Sequence, residues 1–143
     1  MAKVISVNMS VKKGVEKKPI NKGIFKENYG LNGDAHAGQW HRQVSLLGIE
    51  SIQKMNLKAI KELVPGKFAE NITTEGIVLY ELPIGAILII GDVILEVTQI
   101  GKECHKDCEI RSLIGDCIMP REGIFAKVLT EGYIKAGDDI LVD

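Results

Sequence analysis

The chain has 143 residues, enough for one domain with a true hydrophobic core. Its net charge is −1 and aromatic residues make up 5 %, so it has neither the field nor the stacking platforms of a nucleic-acid or anionic-membrane binder. The longest apolar run, Ala86 to Ile90, is far too short to span a bilayer.

"MAKVISVNMS" alternates and then turns polar, which predicts a first strand. It lacks the uninterrupted apolar stretch of a secretory signal, so a cytoplasmic location is expected. "VKKGVEKKPINKG" (Val11 to Gly23) reads as a Lys-rich loop, either a solvated connection or a basic arm that reaches an anionic ligand. "GLNGDAHAGQWHRQVSLL" is rich in small residues, which let backbone approach a ligand closely. In it Asp34 is placed to orient His36, and Arg42 offers a planar fork for phosphate or carboxylate. An ordinary surface loop with a salt-bridged Arg is the competing reading.

"RQVSLLG" predicts a short apolar strand. "GIESIQKMN" carries Ile49, Ile52 and Met55 on one helical stripe, and "NLKAIKELVPG" continues as helix until Pro65-Gly66 stops it. In "FAENITTEGI", Glu70 and Asn71 serve either a ligand's polar edge or buried backbone at a strand end. "AILIIGDVILEVTQI" predicts two strands joined at Gly91-Asp92. "GIFAKVLTEG" and "DDILVD" close the chain as strands. Many short strands with few short helices predict a mainly β fold of the open or closed barrel type.

All three cysteines fall between Cys104 and Cys117, and "HKDCEIRSLIG" within that stretch reads as a short helix. In a reducing compartment such a cluster is chemical rather than a disulfide framework, and core filling is the alternative for each thiol. Cys104 follows Lys102 and adjoins His105, neighbours that favour a thiolate. The spacing lacks the paired knuckles of a zinc site. Arg121, on a turn before a strand, is a second candidate anion clamp.

Together these segments resemble the MOSC domain family, named for the C-terminal region of molybdenum cofactor sulfurases, and in particular its small stand-alone bacterial members. "GLNGDAHAG" resembles the family's Gly-Asp loop with its histidine, and "RQVSLL" the Arg-containing strand after it. "FAENITTEGI" is similar to the family's Glu-Asn-Ile segment. "LPIGAILIIGDVILEVTQIGKEC" resembles the hairpin that leads to the family's cysteine. The resemblance implies a single MOSC domain over residues 1–143, a β-barrel with a few short helices. It implies that Cys104 carries persulfide sulfur or ligates the molybdenum of a molybdopterin-type cofactor. Arg42, Lys102 and Arg121 would contact cofactor phosphate, with His36 and Asn71 shaping the pocket. The partners it implies are the cofactor itself or its biosynthetic and acceptor proteins, with no nucleic acid and no membrane. Two departures stand out: Lys102-Glu103 replaces the usual Arg and Pro before the cysteine, and Cys108 and Cys117 are extra. Two other readings stay open at this stage. One is a small molybdenum-dependent reductase with an external electron donor. The other is a metal site built from Cys104, Cys108, Cys117 and a His.

Overall fold

The computed structural model describes residues 2–13, 15–56, 65–66, 68–101 and 122–143. Among these residues eleven strands form two sheets. Strand β1 spans Lys3–Met9, β2 Lys18–Ile20, β3 Lys22–Lys26, β4 Gly30–Leu31 and β5 Val44–Gly48. Helix α1 covers Ile49–Asn56, β6 Ile72–Glu75, β7 Ile87–Ile90 and β8 Val93–Ile100. Strands β9 (Ile124–Thr130), β10 (Gly132–Lys135) and β11 (Ile140–Val142) complete the chain.

The large sheet runs β11-β7-β8-β9-β5-β6-β1-β2, and the small one β10-β3-β4. Val7, Leu46, Leu95 and Ala126 from the large sheet share one core with Phe25 and Ile134 from the small sheet. The mainly β class expected from the sequence therefore holds. Among the described residues, however, the ladders form two sheets and do not close into a continuous hydrogen-bonded barrel.

Local sequence explains the order. β7 and β8 pair directly across Gly91-Asp92, where Gly91 takes the positive φ that a tight hairpin turn needs. β5 and β6 are the parallel pair, and α1 lies in the connection between them, as a parallel pairing requires. β5 sits between β9 and β6 and is buried along its whole length, which suits its unbroken apolar run. α1 forms where "GIESIQKMN" predicts a helix, with Ile52 buried. The second predicted helix falls largely on residues 57–64, and the third within 102–121. Both ranges lie outside the described residues.

The Lys-rich stretch departs from expectation. It supplies β2 and the start of β3, and Lys17 within it is buried. The Lys17 N–H donates to the Gly66 carbonyl at 2.7 Å, and Gly66 N–H donates to Glu70 Oε2 at 3.0 Å. Gly66 adopts φ +87°, and a Cβ there would lie 2.2 Å from the Lys17 carbonyl oxygen. Only glycine tolerates both the conformation and the contact. Gly66→Ala is therefore expected to destabilise the fold by about 2 kcal/mol or more. Urea denaturation measures this, and an unchanged midpoint would contradict the close approach.

Candidate functional site

The segment between β4 and β5 is held by one buried ion pair. Lys17 Nζ lies 2.8 Å from Asp34 Oδ1, and both side chains have no exposed surface. The same ammonium reaches Ser10 Oγ at 3.1 Å and His36 Nδ1 at 3.0 Å. Asp34 also accepts the Ser10 and His36 backbone N–H groups, each at 3.1 Å. Burial by itself would raise the Asp34 carboxyl. The Lys17 charge and these hydrogen bonds, with a smaller contribution from the Asn71 amide, outweigh burial and hold it below the ordinary carboxylate range.

Asp34 does not orient the His36 ring directly, because its carboxylate oxygen is 3.9 Å from Nδ1. It fixes the His36 backbone, and Lys17 fixes the ring. The Trp40 indole N–H donates to the His36 carbonyl at 2.8 Å and completes the anchoring.

Arg42 is the second cation of this region, and its setting is the opposite one. Its guanidinium stacks near Trp40 and Phe125, with centroid distances of 5.3 and 5.5 Å. Its Nε is buried and has no hydrogen-bond partner. Lys13 Nζ lies 5.2 Å from the centroid of the same Trp40 ring. Two cations therefore gather at the chain's one tryptophan. Arg42 also sits at the base of the excursion between β8 and β9. Phe125 pairs with Gln99 and Ser45, His41 contacts Gln99 Oε1 at 2.8 Å, and Gly101 N–H donates to Gly123 O at 2.7 Å. The Thr98 hydroxyl also donates to the His41 carbonyl.

Asn71 is fully buried behind this region. Its Oδ1 accepts from Ser45 N–H and Ser45 Oγ, and its Nδ2 donates to the Asn8 carbonyl. Glu70 accepts from Gly66 N–H, Phe68 N–H and Thr73 Oγ1. Burial pushes the Glu70 carboxyl above its ordinary value against those three donors. Between Phe68 and Glu70, Ala69 takes φ +66°, and Ser45 Oγ donates to its carbonyl. Of the two roles open for "FAENITTEGI", both side chains fill the backbone-satisfying one.

The structure thus brings both His36 and Arg42 into contact with Trp40, while Asn71, just before β6, bonds Ser45 and Asn8. Cys104, Lys102 and Arg121 lie outside the described residues, as do Cys108 and Cys117. Among the described residues, no three His, Cys, Asp or Glu side chains converge as a metal site. A separate cleft of about 270 Å³ opens beside α1, lined by Glu50, Ser51, Ile77, Leu79, Tyr80 and Glu122 among others. Its carboxylates already have donors. Gly76 N–H reaches Glu50 Oε2 at 2.8 Å, and Ser51 Oγ reaches Glu122 Oε1 at 2.5 Å. No described helix is long and apolar enough to cross a membrane. Sequence reasoning missed Lys17, Trp40 and Phe125. The signal available was the Gly-Asp-x-His cluster, which concentrates polar groups that need a buried counter-charge.

The family model described as the MOSC domain matches residues 33–141. Among solved structures, the chain resembles the YuaD protein of Bacillus subtilis at 21 % identity and a TM-score of 0.81, covering 99 % of this chain and 96 % of that one. It resembles YiiM of Geobacillus stearothermophilus at 18 % identity and a TM-score of 0.77, covering 100 % of this chain and 75 % of that one. YiiM of Escherichia coli follows at 17 % identity and a TM-score of 0.74, covering 100 % and 70 %. These likenesses establish the fold. No curated protein sequence matches the chain.

The ion pair makes a pH prediction. The folded-state pKa of Asp34 is depressed, so the unfolded chain binds its proton first as pH falls. The pair's contribution is complete above about pH 4 and is lost as pH drops through the lower folded value. Asp34→Asn leaves the Lys17 charge buried and unpaired, and should cost about 3–5 kcal/mol at neutral pH. Urea midpoints of wild type and variant should stay apart above about pH 4 and converge as pH falls further. A constant gap would contradict the assignment.

Proposed function

The chain belongs to the MOSC domain family, and from that premise we propose that it binds a molybdopterin-type molybdenum cofactor, or carries the sulfur destined for it, with Cys104 as the working thiolate. The observation that carries this reading is Arg42. A half-buried guanidinium usually holds a carboxylate. This one has two aromatic faces and a buried Nε without a partner. Such an orphaned donor suits an incoming anion, and a planar fork suits phosphate. Arg42 would hold the phosphate of the cofactor, with Lys102 and Arg121 adding charge. His36 would line the same pocket, and Asn71 would hold the strands behind it.

The topology supports a role for Cys104 beside Arg42. The excursion that carries it leaves at Gly101 and returns to Gly123, which are hydrogen-bonded to each other next to Phe125. Cys104 follows Gly101 by three residues in the sequence. When bound, the cofactor would supply a molybdenum centre that a thiolate can ligate. In the carrier role, the Cys104 thiolate takes the outer sulfur of a donor persulfide, and the donor leaves as its own thiolate. Both roles need a reduced thiol, as in the cytoplasm. The partners are then the cofactor and the proteins that make or accept it.

The test is anaerobic purification with measurement of bound molybdenum and pterin, followed by mass spectrometry after exposure to a sulfur donor. Cys104→Ser is expected to abolish molybdenum retention or the added sulfur. Arg42→Ala should weaken cofactor binding at least tenfold, which corresponds to about 1.4 kcal/mol. Full cofactor binding and full sulfur loading in both variants would overturn the proposal.

A further inference from the structure

We infer that the cleft beside α1 is a second ligand site, and that it takes a small organic ammonium, a primary amine carried on an apolar body. It stands apart from the region discussed above, since Arg42 precedes β5 and the cleft lies where β5 ends. It does not depend on the cofactor reading.

Gly48, the last residue of β5, is where the cleft meets the large sheet. It has no side chain, and three oxygen atoms surround the space that one would fill. From the position of an added Cβ, Glu50 Oε1 lies at 3.1 Å, Thr74 Oγ1 at 3.8 Å and the Ile77 carbonyl oxygen at 3.9 Å. Two of these oxygens are unmet. Thr74 is fully buried on β6, and its hydroxyl has no hydrogen-bond partner. Gly76 N–H occupies Glu50 Oε2, and among the described residues nothing donates to Oε1. A buried hydroxyl without a partner is costly, and a valine of the same shape would avoid that cost. The hydroxyl gains a use when a polar group enters from the cleft.

The surroundings decide which group fits. Glu50 and Glu122 both line the cleft and make it acidic. The positive end of the α1 dipole opens here too, but it amounts to about half a charge, and the Glu50 carboxylate sits in that first turn. Ile77, Val78 and Leu79 supply an apolar wall, and Val78, 47 % exposed, leaves it open to solvent. An ammonium has donors only, which suits a carboxylate, a hydroxyl and a carbonyl gathered beside one glycine. Its apolar body would cover the wall, as in most small-molecule sites. A bare divalent cation fits less well, because it needs about six oxygen ligands and leaves the wall uncovered. The space of about 270 Å³ sets the size of the body as small.

The experiment is amide NMR of the full chain, titrated with butylammonium chloride and, at matched ionic strength, with sodium butyrate and magnesium chloride. The expected result is saturable shifts at Gly48, Gly76 and Ile77 with butylammonium alone. Thr74→Val should fold with a urea midpoint no lower than wild type, yet bind butylammonium about tenfold more weakly or worse. Gly48 has no positive φ, so Gly48→Ala is open to the backbone. Its methyl would meet the movable end of Glu50 and should weaken binding in the same way. The two variants judge the site independently should one of them fail to fold. Absence of saturable shifts, shifts centred on Trp40, equal shifts with butyrate or magnesium, or undiminished affinity in either folded variant would overturn the proposal.

Discussion

A lysine side chain with no exposed surface is the constraint on which this structure turns. An ammonium placed there needs a counter-charge and further acceptors, or it would lose its proton or unfold the region. Asp34 supplies the charge, and Ser10 and His36 supply the acceptors. Each of these ties a different stretch of chain. Ser10 follows β1, Lys17 precedes β2, and Asp34 and His36 lie between β4 and β5. The Lys17 backbone is in turn pinned to Gly66, whose N–H is held by the buried Glu70. One charge therefore positions two loops and the entry to β6.

The two cations of the site show how burial and partnership divide their tasks. Lys17 is paired and surrounded, and its ammonium holds neighbouring residues in place. Arg42 is flanked by Trp40 and Phe125, and one of its buried nitrogens has no acceptor. The first organises the structure around it, and the second keeps a buried donor unmet. Trp40 links them, since its indole N–H secures His36 while its ring faces Arg42.

Much of the fold was legible because its signals are local. β-branched alternation in "KVISVNMS", the Gly91-Asp92 hairpin and the apolar stripe of α1 each follow from a few adjacent residues. β2, β3, β4 and β10 were missed because short strands of mixed polarity owe their existence to neighbours distant in sequence. The burial of Lys17 was hidden for the same reason. A Lys-rich run reads as solvated, and only the fold reveals that Asp34, seventeen positions on, is its partner. His36 and Arg42 were visible as residue types in a small-residue loop. Their different settings, a ring contacted by Lys17 and a guanidinium whose buried Nε lacks an acceptor, depend on packing that no spacing encodes. Glu70 and Asn71 illustrate the reverse, since chemistry that looks available in sequence is engaged by backbone in the fold.

The most direct test is a double-mutant cycle at Lys17 and Asp34, read by urea denaturation at neutral pH. Each single change, Lys17→Met or Asp34→Asn, leaves one buried charge without its partner, and each should cost about 3–5 kcal/mol. The double variant removes both charges, so its loss should be well below the sum of the two singles. Additive losses, or singles no worse than ordinary surface changes, would contradict the central place given to this pair.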